Sequence, residues 1–307
     1  MGRATTIGRA AEIRARLPRR RREAAIGALF VAPALFGFAV FYLWPIVRVF
    51  RFSLTNWNML RAPRFVGFAN YDRALHDPAF RHSALVTLEY VAANIPLQTA
   101  LGLGIALLLE TMRAPVLVRA AVLLPYVMSS VVVAMVWLWL LDPLLGVVDA
   151  TLGMLGLPRQ GFLADPRSAI VSIAGINIWR HSGFTALLFS AGLRAIPREL
   201  YEAAALAGAG PWTRFRTITL PLLRPVLAFV LVTSVIGSFQ VFDTVAVTTG
   251  GGPADSSRVL VWYIYQTGFG FFRMGYASAM SVLLFAVLVA FTLGQMRLLR
   301  AGASELH

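Results

Sequence analysis

Residues 199–221 read ELYEAAALAGAGPWTRFRTITLP, a polar-edged segment between two long apolar stretches. Pro197 is placed for the first turn of a helix, where its missing N–H costs nothing. Glu199 and Glu202 then lie near the positive helix N-terminus. Leu200, Ala203, Ala204 and Ala207 fall at i, i+3, i+4 and i+7, a narrow apolar stripe of mostly small side chains with Glu202 roughly opposite. Gly208 and Gly210 close this helix. Pro211 opens a second one, carrying Trp212 and Phe215, which Leu220-Pro221 is expected to stop. The reading is two short helices around a sharp turn, either a docking surface or a solvated loop between membrane spans.

The flanks decide the class. The chain has 307 residues, of which 58% are hydrophobic and 14% charged. That apolar share is above the norm for soluble domains. Six stretches, about 25–47, 84–109, 116–140, 169–193, 224–247 and 276–298, each approach the roughly 20 apolar residues that cross a bilayer. The sequence therefore predicts an all-α integral membrane protein. Its layout is a basic tail over 1–24, a membrane domain over 25–299 holding the 197–221 loop, and a short tail over 300–307. The arginine run Arg19 to Arg22 followed by an apolar stretch looks like a cleaved leader. However, that stretch is long enough to span and no small-x-small cleavage site follows it, so it is expected to be a retained first helix.

All 28 basic residues are arginine, as codon bias in a GC-rich genome would give, and their placement predicts topology. The N-terminus, the 110–119 turn, the 194–224 loop and the tail hold 17 of them, against 10 in the alternate loops. That asymmetry puts both termini and the Glu202 loop in the cytoplasm. Six arginines in the first outer loop work against it. The net charge of +14 is thus a membrane signal and no sign of nucleic acid. The absence of cysteine removes thiol chemistry and disulfides.

Polar residues at bilayer depth are the candidates for a solute path, since each is costly in lipid. Asn177, Arg180 and His181 share one face of the fourth span, beside Trp179. Arg180 either lines a path or is held by Glu89, Asp243 or a freed backbone carbonyl. Gly237, Gln240 and Asp243 fall at i, i+3 and i+6 on the fifth span, flanked by Phe239 and Phe242. Amide and carboxylate groups suit sugar hydroxyls and aromatic rings suit pyranose faces; the other reading is helix–helix adhesion. Asn94 and Gln98 read as adhesion between helices. Pro125 predicts a kink in the third span. No metal-ligand spacing, Ser-His-Asp set or paired-carboxylate site is present in the sequence. The run Thr248-Thr249-Gly250-Gly251-Gly252-Pro253 lacks the Lys-Ser/Thr of a P-loop, and no Walker A sequence occurs elsewhere. An enzymatic activity, a resident cofactor and a metal are therefore not expected.

Glu202-Ala203-Ala204, Gly208 and then Ile218-Thr219-Leu220-Pro221 resemble the cytoplasmic "EAA" loop of binding-protein-dependent ABC importer permeases. Phe52-Ser53-Leu54-Thr55-Asn56-Trp57, Phe65-Val66-Gly67-Phe68-Ala69-Asn70-Tyr71 and Thr249-Gly250-Gly251-Gly252-Pro253 resemble outer segments of the carbohydrate branch, the maltose and glycerol-3-phosphate type. Ala207 departs from the acidic residue that many members carry there. The resemblance covers about residues 28–298. It implies a six-span type I importer permease with a MetI-like core in the bacterial cytoplasmic membrane. It also implies a homologous second permease, an ATPase dimer holding ATP and Mg²⁺, and an extracytoplasmic solute-binding lipoprotein. Glu202, Ala203, Ala204, Gly208, Ile218, Leu220 and Pro221 become the implied ATPase-coupling residues. Asn177, Arg180, His181, Phe239, Gln240 and Asp243 become candidates for a sugar path. The alternatives are a glycerol-3-phosphate, glycerophosphodiester or polyol permease, or a secondary transporter driven by an ion gradient.

Overall fold

The computed structural model describes residues 26–301, with side chains through Arg297. The arginine-rich tail over 1–24 and residues 302–307 lie outside the described residues. Among the described residues the regular elements are all helical, with one isolated bridge between Thr55 and Phe65. The long elements are α1 (Ile26–Ser53), α3 (Pro78–Thr111), α7 (Ala169–Arg194), α10 (Arg224–Phe239) and α13 (Met274–Ala301). Shorter ones are α2 (Ala69–His76), α4 (Val116–Val127), α5 (Ser130–Leu140), α6 (Val147–Met154), α8 (Arg198–Leu206), α9 (Pro211–Arg214), α11 (Asp243–Thr248) and α12 (Leu260–Tyr265).

Among the described residues, four helical stretches are long and apolar enough to cross a membrane: Ile26–Ser53, Pro78–Thr111, Arg224–Thr248 and Met274–Arg297. The pair α4 and α5 makes a fifth if taken together, and it is bent by 92° rather than merely kinked. Pro125 cannot donate to the α4 ladder, the helix ends within three residues, and Met128 and Ser129 are extended. Helix α7 is long enough to cross but less apolar than these four, because it carries Asn177, Arg180 and His181. It lies inside the bundle, packed on α3, so its polar face meets protein rather than lipid.

The expected helix stop at Pro221 is not a stop. Pro45 and Pro221 sit within helical runs, each just after one π turn, Ala39–Leu43 and Phe215–Thr219. The N–H of Trp44 bonds the carbonyl of Ala39, and that of Leu220 bonds the carbonyl of Phe215. Closing over five residues widens the turn that an α-helical proline ring would drive into a carbonyl. The first helix therefore runs on to Ser53. The second arm of the 197–221 elbow runs through Leu220–Leu222 into α10 instead of ending at Pro221.

Helices α3 and α7 form a parallel central pair with small residues at the seam. A Cβ on Gly102 would press on Thr185, and Ala106 and Ala186 are fully buried. At their C-terminal ends, Arg194 Nε donates to both Glu110 carboxylate oxygens at 3.1 Å, and Arg119 of α4 adds a contact at 3.3 Å. The 195–223 elbow hangs from this end, where Tyr201 and Ile218 pack on a core of Phe189, Ile196 and Leu223.

At the other end Asp77 caps α3, accepting from the Ala79 N–H at 2.9 Å. It also takes the hydroxyls of Tyr263 at 2.7 Å and Tyr276 at 2.6 Å, tying α12 and α13 to α3. Burial raises the Asp77 pKa, but the hydrogen bonds from Tyr276, Tyr263 and the backbone outweigh it. The net shift is below the ordinary value of 3.8. A carboxyl depressed in the folded state stabilises fully above its unfolded pKa, and that contribution is lost as pH falls through the folded value. Asp77→Asn is expected to cost about 1–2 kcal/mol at neutral pH. Its melting temperature in detergent should also fall less than that of the parent on acidification below the ordinary aspartate value. Parallel acid profiles for the two would show that the carboxylate is not the tie.

Candidate functional site

A cavity of about 360 Å³ opens in the middle of the bundle, between α3, α7, α10 and the bent α4–α5 pair. Its floor is a chain of amides and hydroxyls. Asn94 Nδ2 donates to Gln98 Oε1 at 3.1 Å and to Ser238 Oγ at 2.9 Å. Gln98 Nε2 donates to Thr185 Oγ1 at 3.0 Å and Ser234 Oγ at 3.3 Å. Both amides are thus the expected helix–helix adhesion, yet both also line the cavity. Asn94 Oδ1 is buried without a hydrogen-bond partner, an unused acceptor at the floor.

The polar face of α7 forms one wall. Asn177 Oδ1 accepts from Thr244 Oγ1 at 3.2 Å, and the Asn177 carbonyl holds His181 Nδ1 at 2.9 Å. A carbonyl only accepts, so Nδ1 carries the proton and Nε2 faces Arg180 Nη1 at 3.5 Å. Arg180 Nη2 donates to the Met128 carbonyl at 3.3 Å, a group freed by the break between α4 and α5. Its Nε is buried with no hydrogen-bond partner, and no ion pair to a carboxylate is formed among the described residues. Of the three holders weighed for Arg180, the freed carbonyl is the one it touches. Tyr126 stacks on Phe184 at 4.4 Å and meets His181 edge-on, giving the wall an aromatic surface.

The expected face on the fifth span is a broken one. Helix α10 ends at Phe239 and α11 restarts at Asp243, so Gly237, Gln240 and Asp243 are not on one continuous helix. The bend still turns all three toward the cavity, with Phe242 beside them. Asp243 accepts from Ser130 Oγ of α5, bridging the two sides of the opening. Phe239 does not line the cavity. It is buried in the core with its ring 6.2 Å from Phe291, on a different side of α10 from Gly237, which does line the cavity. The expectation of a solute contact at Phe239 is corrected accordingly. Tyr126, Ser130, Phe184, Thr185, Ser234, Ser238 and Thr244 line the cavity without having been singled out. The i, i+4 pair Ser234 and Ser238, facing Asn94 and Gln98, was the available signal.

Among the described residues no cluster of three metal-ligating side chains occurs. The cavity presents amide, hydroxyl, guanidinium and carboxylate side chains beside aromatic rings, a lining that suits a polyhydroxylated solute.

The elbow presents the opposite kind of surface. Gly208 follows α8 with φ +79°, and the Ala209 N–H bonds the Ala204 carbonyl at 2.9 Å, a glycine-closed helix end. The Tyr201 hydroxyl meets Thr219 Oγ1 at 2.9 Å and fixes the two arms. Glu202, Ala203 and Gly208 are exposed, Ala204 and Ile218 are half-buried, and Leu206 is 92% and Trp212 72% exposed. Leu220 and Pro221 belong to the arm that continues into α10. Such apolar side chains form an exposed patch at the tip of the elbow.

Residues 88–304 match the family described as binding-protein-dependent transport system inner membrane component. The chain is 36% identical over 277 residues to the trehalose/maltose transport system permease protein MalF of Thermococcus litoralis, covering 89% of this chain and 92% of that one. It is 34% identical over 281 residues to the sulfoquinovosyl glycerol transport system permease protein SmoG of Agrobacterium fabrum, covering 90% of each. The sn-glycerol-3-phosphate transport system permease protein UgpA of the same organism is 32% identical, covering 88% of this chain and 92% of that one. Among solved structures, a chain of a bacterial ABC transporter that imports the acidic polysaccharide alginate superposes with a TM-score of 0.78 at 24% identity. That match covers 93% of this chain and 99% of that one, a likeness of fold.

Proposed function

The chain belongs to the family of binding-protein-dependent transport system inner membrane components, and on that premise we propose that it is the permease subunit of an ATP-driven sugar importer. It is a multi-pass membrane protein with the all-helical MetI-like permease fold. We read six spans, with α4 and α5 as one bent span and α7 as the shielded sixth. The arginine asymmetry supports cytoplasmic termini and a cytoplasmic elbow. The subunit forms half of a translocation path with a homologous second permease. An ATPase dimer, which holds ATP and Mg²⁺, docks on the elbow at Glu202, Ala203, Ala204 and Gly208. An extracytoplasmic lipoprotein delivers the solute in a bacterial cytoplasmic membrane.

The observation that carries this reading is the elbow, hung rigidly from the core and continuous with α10, whose far end meets the cavity. A push on the exposed tip has a stiff route to Ser234, Ser238 and Gln240. An anionic glycerol-phosphate solute is a second reading, favoured by the guanidinium of Arg180 without a carboxylate partner. Trehalose/maltose and sn-glycerol-3-phosphate are substrates in the names of relatives, so both classes belong in one test.

That test is purification of the chain from mild-detergent membranes, followed by reconstitution of whatever co-purifies. Recovery of an ATPase, a second permease and a binding protein is expected, with uptake that needs ATP and survives an ionophore. A chain that is recovered alone and transports on an ion gradient would overturn the proposal. Neutral and phosphorylated sugars supplied in parallel separate the two solute classes.

A further inference from the structure

From residue 24 to residue 71 the chain contains no aspartate or glutamate, yet it holds Arg48, Arg51, Arg61 and Arg64. All four lie at the C-terminal end of α1 and in the loop after it, remote from the elbow. Arg48 and Arg51, one helical turn apart, line a single cleft of about 410 Å³ with Phe52, Thr55, Pro63 and Phe65. Like charges at this spacing destabilise a helix unless something neutralises them. Neither forms an ion pair among the described residues. The Arg48 guanidinium is instead steadied over aromatic rings, 5.7 Å from the centre of Trp44 and 4.9 Å from that of Phe52. Two cations facing an open cleft with an apolar lining, Arg48 steadied over aromatic rings and Arg51 exposed beside it, make a site for an anion that carries its own apolar part.

The position of the cleft says which anion. The α1 segment leading to it is apolar and outward-facing, with none of its apolar window buried in the chain. Tyr42 and Trp44 mark the level of the headgroups along it. A lipid lying along α1 brings its phosphate to the height of Arg48 and Arg51, and guanidinium groups hold phosphate by paired hydrogen bonds. We propose that this cleft binds the headgroup phosphate of an anionic phospholipid and so anchors the outward end of α1. The inference does not depend on the transport reading. It gives a use to the first-loop arginines that work against the charge asymmetry.

The test is native mass spectrometry of the full chain in mild detergent, titrated with phosphatidylglycerol or phosphatidylcholine. Selective retention of phosphatidylglycerol is expected, resistant to millimolar inorganic phosphate. The double change R48Q/R51Q should reduce that selectivity about 30-fold, at about 5-fold for each arginine near an anionic headgroup. R159Q/R167Q, at the same end of the bundle, should leave it unchanged. If the double variant does not fold, the exposed Arg51→Gln alone should still cost about 5-fold. Equal retention by parent and R48Q/R51Q would overturn the site. Displacement by phosphate alone would reassign it to free anions. Loss of a co-purifying acidic protein with lipid retention intact would make it a protein contact instead.

Discussion

Gly208→Val is expected to stop uptake by the reconstituted transporter, a fall of more than tenfold, while Gly208→Asn largely keeps it. The reason is backbone conformation, not space. Gly208 sits at φ +79°, and a Cβ there would meet nothing within 4 Å. A left-handed residue costs an ordinary side chain about 1–2 kcal/mol and a β-branched one more, whereas asparagine enters that region readily. Valine therefore reopens the turn that closes α8 and displaces the exposed tip carrying Glu202, Ala203 and Leu206. Glu202→Lys reverses a charge on that tip without touching packing, since the side chain is exposed. It should abolish uptake as completely. Both variants should be recovered from membranes in normal amount with the second permease. Loss of ATPase from the purified Glu202→Lys complex would assign the residue to docking. Full uptake by Glu202→Lys and Gly208→Val together would remove the elbow from the coupling mechanism.

The same elbow shows how far a sequence can be read. Its first arm was legible because glycine and proline mark local geometry that tertiary contacts rarely override. Its second arm was misread at Pro221 because proline stops a helix only when the turn before it is an α-turn. The π turns before Pro45 and Pro221 shift the hydrogen-bond ladder by one residue, and no residue type announces that shift. The polar face of α7 was legible at its 3.6-residue period, and Asn177, Arg180 and His181 do converge on the cavity. On the fifth span Gly237, Gln240 and Asp243 reach the cavity as the period predicts, but across a break at 240–242 that no residue pattern announces. Phe239 reads in the sequence as an aromatic flanking that face, yet the helical period alone turns it away from Gly237 and Gln240, and it is core. Asn94 and Gln98 were read as adhesion, and in a bundle the same buried amides can hold helices together and floor a cavity.

Gly183→Ala is expected to destabilise the protein by about 3 kcal/mol, at the upper end for overpacking, although alanine is the better helix former. Gly183 lies on α7 where it crosses α4, and a Cβ there would overlap the Val122 carbonyl. It would also lie 2.9 Å from the Val122 carbonyl carbon and 3.4 Å from Leu123 Cα. All three are backbone atoms, which cannot rotate aside as a side chain does. The same change at Gly102 would bring a Cβ to 2.7 Å from Thr185 Cβ and 3.3 Å from the Ala186 nitrogen, so it should also destabilise, at the α3–α7 seam. Gly175 is the internal control, on the same helix with nothing within 4 Å of its Cβ position. Gly175→Ala should raise stability by about 0.5–1 kcal/mol through the entropy of the unfolded chain. The functional consequence follows from position. Forcing α4 away from α7 pulls Tyr126 off Phe184 and carries the Met128 carbonyl away from Arg180, so the cavity loses its aromatic wall and its arginine loses its anchor. Thermal unfolding in detergent of the two alanine variants should therefore move in opposite directions. Equal shifts would mean that α4 and α7 do not meet backbone to helix at Gly183, and the cavity wall built on that contact would fall with it.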